Sequence, residues 1–210
     1  MFRGFLLCLF SSFFLFYSSS AQRKLRKNDR REVDFTISGY YYSIPGDDDQ
    51  LMFIGTADVD KWHMEGRYNY EDVKTGSVFG GYTFSTNGWL KADFTPMIGF
   101  VFGNSNGVAP GLEMDLSYKK FGFYSESEYM IYYHGYTNNF IYTWNELSYN
   151  AFKNFDAGIS IQRTLLYETK FDIQRGAFMR YDIWKLSAGV YYFNPFSSAD
   201  LWIFSLGLNF

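Results

Sequence analysis

The stretch Ala199–Phe210, ADLWIFSLGLNF, decides the fold. Counting back from its end, Phe210, Leu208, Leu206, Phe204 and Trp202 are apolar, while Asn209, Gly207 and Ser205 between them are small or polar. A strict period of two belongs to a β-strand with one apolar and one wet face.

Working outward from it, the same pattern recurs along the chain. About twelve strands are expected, with ten as the alternative: 34–44, 51–58, 61–70, 77–85, 89–103, 112–119, 121–133, 140–149, 154–165, 174–182, 186–193, and a last one after the loop NPFSSAD. Their lengths suit strands that cross a bilayer, which need about 9–11 residues. The connections alternate long and short, starting with PGDDDQ and then the break at Val59-Asp60. Thr86-Asn87-Gly88 is expected to be a tight hairpin turn. Pro96 falls inside the fifth strand and implies a bulge or bend, because it has no N–H for the ladder. Pro110 is expected in a loop. Gly99, Gly122 and Gly158 lie within strands, where they permit curvature or close packing.

Composition supports a membrane barrel. Aromatic residues are 23% of the chain, and barrels gather rings at both bilayer interfaces. After residue 32 there is no apolar run long enough for a helical span, which needs about 20 residues. A soluble β-sandwich accounts for short strands and turns but not for the outward aromatic stripes.

The closing strand, ending on Phe210, resembles that of Gram-negative outer-membrane β-barrels of the porin-like class. The resemblance implies an all-β, antiparallel up-and-down barrel, with a terminal Phe as assembly signal and the barrel assembly machinery as a partner. With both ends of the barrel periplasmic, every long loop faces outward and every short turn faces the periplasm, as in that class.

The first residues fit export. Arg3, the uncharged run Gly4–Tyr17 and Ser19-Ser20-Ala21 form the three parts of a signal peptide over residues 1–21. Cys8, the only cysteine, lies inside it, so the mature chain has no thiol for a disulfide or a metal. Residues 22–32, QRKLRKNDRRE, carry six basic and two acidic side chains. They read as a flexible periplasmic arm, with contact to anionic lipid or insertion into the barrel as the alternative. The total charge of −3 leaves the barrel, residues 33–210, acidic.

Strand parity sorts side chains into lipid-facing and lumen-facing sets. Trp62, Met64, Tyr68 and Tyr70 are expected toward lipid, placing His63, Glu65, Arg67 and Asn69 in the lumen. Lys91 and Asp93 with Thr95, Glu113 and Asp115, Glu126 and Glu128, Gln162, and Arg180 complete the inward set. Ionisable groups at membrane depth must be paired or wet. Eight strands give a filled interior and sixteen an aqueous channel, so twelve leave room for a narrow passage lined by these residues. The acidic surplus favours cations, with Arg67 and Arg180 as countercharges. The alternative is a closed barrel, structural or adhesive, in which these charges neutralise one another.

Other chemistries find less support. The two histidines, His63 and His134, have no His-x-Ser or Gly-x-Ser-x-Gly context for a lipid-modifying hydrolase. Asp47-Asp48-Asp49 lacks the spacing of a calcium loop. The one basic block lies outside the barrel, so nucleic acid is not an expected partner. No cofactor is expected; the expected partners are membrane lipid and a small polar solute or ion.

Overall fold

The computed structural model describes residues 33–133, 139–164 and 173–210. The signal segment, the basic arm and His134 lie outside the described residues. The strands, in chain order, are β1 (Val33–Ser43), β2 (Gln50–Val59), β3 (Trp62–Tyr68), β4 (Thr75–Tyr82), β5 (Phe84–Asn87), β6 (Lys91–Gly103), β7 (Gly107–Tyr118), β8 (Phe121–Tyr132), β9 (Phe140–Phe152), β10 (Phe155–Arg163), β11 (Gln174–Ile183), β12 (Leu186–Phe193) and β13 (Leu201–Asn209). Every neighbouring pair is antiparallel, β1 pairs with β13, and β4 with β6 completes the ring. A closed sheet has no edge, the condition for strands to cross lipid. Among the described residues there is no helix.

β4 and β5 are one wall strand, so the barrel is twelve-stranded. Gly81 faces Met97 in the ladder to β6, and Phe84 faces Phe94 in the same register. The gap between them falls at Tyr82 and Thr83, where Pro96 supplies no N–H. Pro96 thus interrupts the ladder without a bulge. Across the gap Thr83 Oγ1 and Thr95 Oγ1 are 2.9 Å apart, and the Thr83 N–H donates to Lys61 on the other side.

Two more boundaries differ from the expectation. Asn87 pairs with Lys91, so the hairpin turn is Gly88-Trp89-Leu90, shifted toward the aromatic side chain. β7 begins at Gly107, so Pro110 stands in a strand and not in a loop. It is exposed on the outer wall, and the β7–β8 ladder skips Ala109 and Pro110 while keeping register.

The short connections share one end. Asp60-Lys61, Lys119-Lys120, Lys153-Asn154 and Trp184-Lys185 each use one residue with a left-handed backbone: Asp60 (56°), Lys119 (55°), Asn154 (63°) and Trp184 (56°). Each turn also carries a lysine. Lys61, Lys119 and Lys120 lie over the rings of Tyr82, Tyr118 and Tyr149 at 5.9, 5.0 and 5.6 Å, and Lys185 over Trp184 at 5.8 Å. Rings with lysines above them are the pattern of a bilayer interface.

The outer wall is apolar by alternation. Trp62, Met64, Val78, Ile98, Phe100, Ile159, Met179 and Leu206 are all exposed there. At the last strand the Phe210 N–H donates to Phe35 at 2.8 Å, and the two rings stand 5.9 Å apart.

Aromatic residues are not confined to the interfaces as their abundance suggested. Tyr42, Tyr142, Trp144, Phe178, Tyr191 and Phe193, with Met52, Leu201 and Ile203, form a buried cluster inside the barrel. A second one joins Phe79, Met97, Val101, Ala109 and Met130. Together they fill much of the lumen toward the long loops. Twelve strands enclose more space than eight, and rings on the inward face occupy it.

Candidate functional site

β3 supplies the centre of the site. Its alternation turns His63, Glu65 and Arg67 inward, all buried, while Trp62, Met64 and Tyr68 stay outside. Tyr70 corrects the parity expectation: it is 2% exposed and lies inside. The strand ends at Tyr68, and the next residue, Asn69, has a left-handed backbone at 57°, a conformation asparagine tolerates well. Asn69 Oδ1 accepts from Lys74 N at 2.7 Å, closing the outer connection 69–74 and folding Tyr70 and Glu71 into the barrel.

Arg67 is the hub. Its guanidinium lies between the rings of Tyr70 and Phe79, at 4.2 and 4.1 Å. Around its edge stand Glu65 at 2.8 Å, Glu126 at 2.6 Å, Glu128 at 2.9 Å and, farther, Glu71 at 3.8 Å. Burial pushes the Glu71 carboxyl up despite the nearby guanidinium; Ser77 donates to it at 2.5 Å. Glu65 also meets His63 Nε2 at 3.5 Å, and His63 Nδ1 is 3.0 Å from Asp58. One cation therefore serves four carboxylates in a place where charge must be compensated.

A second group lies across the lumen. Glu146 accepts from Trp144 Nε1 at 2.9 Å, the Tyr191 hydroxyl at 2.8 Å and Arg180 at 3.0 Å. Asp156 stands 3.8 Å from the same arginine. Glu146 is absent from the sequence-derived set. In β9 the inward face is Tyr142, Trp144 and Glu146, while Thr143 and Asn145 point outward. Those two bond Ser127 and Ser125 on the outer wall, at 3.0 and 2.8 Å. Polarity therefore misreads this strand; Ile141, Leu147 and Tyr149, all exposed, were the signal that gave its parity.

Between the two groups is a cavity of about 280 Å³, walled in part by Ser38, Tyr40, Glu65, Glu113, Asp115, Tyr124, Glu126, Trp144, Glu146 and Arg180. The Tyr124 hydroxyl reaches Glu113 at 2.6 Å and Glu126 at 3.1 Å. Most of these residues sit in the half of their strands nearer the short turns. Lys91 and Asp93, in the first turn of β6 from that end, are exposed there. Asp93 faces Asp115 directly in the β6–β7 ladder.

The structure thus brings together His63, Glu65, Arg67, Glu113, Glu126 and Glu128, places Arg180 and Asp115 on the same cavity, and leaves Lys91 and Asp93 exposed at the short-turn end. Gln162 is inward and 0% exposed, packed on the far wall. Phe210 is on the outer rim, away from the lumen. In the first outer loop Asp49 accepts from Ile44 N at 3.3 Å and from the Tyr41 hydroxyl, and Asp47 from Asp48 N at 2.8 Å, so two of the three carboxylates brace the turn. Among the described residues no group of three or more His, Cys, Asp or Glu is arranged to hold a metal ion.

No protein-family model matches the sequence, and no curated protein matches it. Solved structures do match in fold. The chain is similar to the KdgM porin with a TM-score of 0.57 at 13% identity, over 83% of this chain and 99% of that one. The match to the KdgM porin in complex with disordered oligogalacturonate has a TM-score of 0.57 at 12% identity, over 83% and 99%. The match to the NanC porin has a TM-score of 0.50 at 11% identity, over 84% and 98%. At such identities the likeness lies in the fold: this chain is a closed antiparallel β-barrel like those porins.

Proposed function

We propose that the chain is a narrow porin-like channel for small polar solutes or ions in the outer membrane of a Gram-negative bacterium. The observation that carries this reading is the partly open cavity between the Arg67 and Arg180 groups, lined by both signs of charge. Oligogalacturonate, named with one KdgM structure, is a polyanion. Here carboxylates outnumber arginines around the cavity, which favours cationic or neutral solutes instead. The pore-lining set is Glu65, Arg67, Glu113, Asp115, Glu126, Glu128 and Arg180, with His63, Lys91, Asp93 and Gln162 completing the wall.

A second reading, a closed surface barrel, is favoured by the buried aromatic cluster toward the long loops. Single-channel recording of the folded protein in planar bilayers separates the two. Discrete, salt-dependent steps with cation-directed reversal potentials, altered by Glu128→Gln, support the channel. A silent bilayer from folded protein, even after Tyr142→Ala and Trp144→Ala remove two rings of the outer cluster, overturns it.

A further inference from the structure

We propose that the outer wall of the barrel carries a groove for one phospholipid molecule, with an acyl chain laid over Gly80 and the phosphate at Lys61. The inference rests on the barrel crossing a membrane and not on conduction.

The groove follows from where a side chain is missing. On the outward faces of β3, β4 and β6, Met64, Gly80 and Ile98 stand side by side in the ladders. Met64 and Ile98 are more than half exposed, while a side chain at Gly80 would meet nothing within 4 Å. Between them is a hollow of about 720 Å³, with Trp62 continuing the Met64 wall and Tyr82 and Pro96 closing the end toward the short turns. Gly66, diagonal to Gly80 in the β3–β4 ladder, is open in the same way and carries the hollow away from that rim. At about 3.4 Å per residue, Tyr82 to Val78 along β4 covers about 14 Å. That is roughly half of a hydrocarbon core of about 30 Å, so the groove has the depth of one leaflet. An acyl chain lying in it gains the dispersion contacts that an empty hollow forfeits.

The rim end carries the charge that selects the occupant. Lys61 is exposed in the turn just before Trp62, and its carbonyl accepts from the Thr83 N–H at 2.8 Å. Its ammonium group lies 5.9 Å from the centre of the Tyr82 ring, which closes the groove. Lysine and ring together mark the level at which lipid phosphates sit. A second copy of the chain fits this face poorly. In a two-fold contact about an axis along the bilayer normal, the same patch meets itself. Hollow would then face hollow, and two Lys61 side chains would share one depth. A phosphate with an acyl chain beneath it suits both the cation and the hollow.

The test is native mass spectrometry of the folded protein, released from detergent after incubation with dioleoylphosphatidylglycerol. Dioleoylglycerol, with the same chains and no phosphate, is the counterpart. The expected result is one phosphatidylglycerol retained per barrel and no retained dioleoylglycerol. Gly80→Leu fills the hollow and loses the retained lipid. Lys61→Gln retains about fivefold less, the factor for one lysine at a lipid surface. Heat-modifiable gel mobility checks that each variant is folded; if Gly80→Leu is not, Gly66→Leu fills the far end of the groove in its place. No retained lipid, equal retention of dioleoylglycerol, or unchanged retention in either variant overturns the proposal. A wild-type dimer that Gly80→Leu abolishes assigns the groove to a second copy and overturns it as well. A silent bilayer with one lipid retained removes the channel and leaves this site, and a conducting barrel that retains none removes only this site.

Discussion

The Arg67 guanidinium carbon stands 4.1 Å over the Phe79 ring, and Phe79 occupies the space that Gly99 leaves by having no side chain. With Tyr70 on its other face, the guanidinium is held flat, and only its N–H edge is free to meet carboxylates. A lysine has neither the plane to stack nor the fork of donors.

Removing that charge strands four buried carboxylates. Arg67→Met is expected to destabilise the barrel by about 3–5 kcal/mol, the range for breaking a buried ion pair. Urea unfolding in lipid vesicles, followed by tryptophan fluorescence, reads this. Adding Glu126→Gln and Glu128→Gln to Arg67→Met is expected to recover part of the loss. If the single variant unfolds like wild type, the four carboxylates do not depend on Arg67 for their burial.

Two glycines on opposite faces make a paired prediction. A side chain at Gly99 has no room beside the Phe79 ring, whereas one at Gly80 meets nothing within 4 Å and points to lipid. Gly99→Leu is expected to displace Phe79 and lower stability by about 1–3 kcal/mol, the usual cost of overpacking. Gly80→Leu is expected to change stability little. Equal effects in the same unfolding assay would contradict the inward assignment of Gly99.

Much of this was legible in the sequence because a β-barrel wall writes itself as alternation. The inward face of His63, Glu65 and Arg67 follows from period two; the strand order follows from the resemblance of the closing strand, and the placing of short turns at one end from the alternation of connection lengths. What was not legible has two physical causes. Tyr70 reverses face because the strand ends at Tyr68, before a left-handed Asn69, and alternation has no meaning past a strand end. Glu146 was hidden because β9 places rings inside and amides outside, where Ser125 and Ser127 satisfy them. The filled outer lumen was missed for a related reason: aromatic abundance does not say which face of a strand the rings take.

Pro96 gives a prediction about the wall itself. Pro96→Ala restores a donor opposite the gap between β4 and β5, at a position whose partner strand keeps register on both sides. The variant is expected to slow amide exchange at Tyr82 and Phe84, which border the gap, and to raise stability by about 0.5–1.5 kcal/mol, the net worth of one hydrogen bond. Faster exchange at those residues would mean that the gap is fixed by something other than the missing N–H.

The depth of β13 in the bilayer is tested by moving one charge along its outward face. Leu206 lies midway along the strand, across from Gly39 and Ala188, and is 55% exposed on the wall. Leu208 is next on the same face, closer to the short-turn rim that Lys185 and Phe210 define. An arginine at the bilayer midplane costs about 2–4 kcal/mol, falling to about 0–1 near the interface. Leu206→Arg is therefore expected to lose most of that larger amount and to insert less efficiently into vesicles, while Leu208→Arg loses less because its side chain reaches the headgroups. The readout is the urea midpoint of each variant in lipid. If Leu206→Arg matches wild type, residue 206 does not face hydrocarbon and the outward parity of β13 is wrong. If both arginines cost the same, the rim is not where the lysine-bearing turns place it.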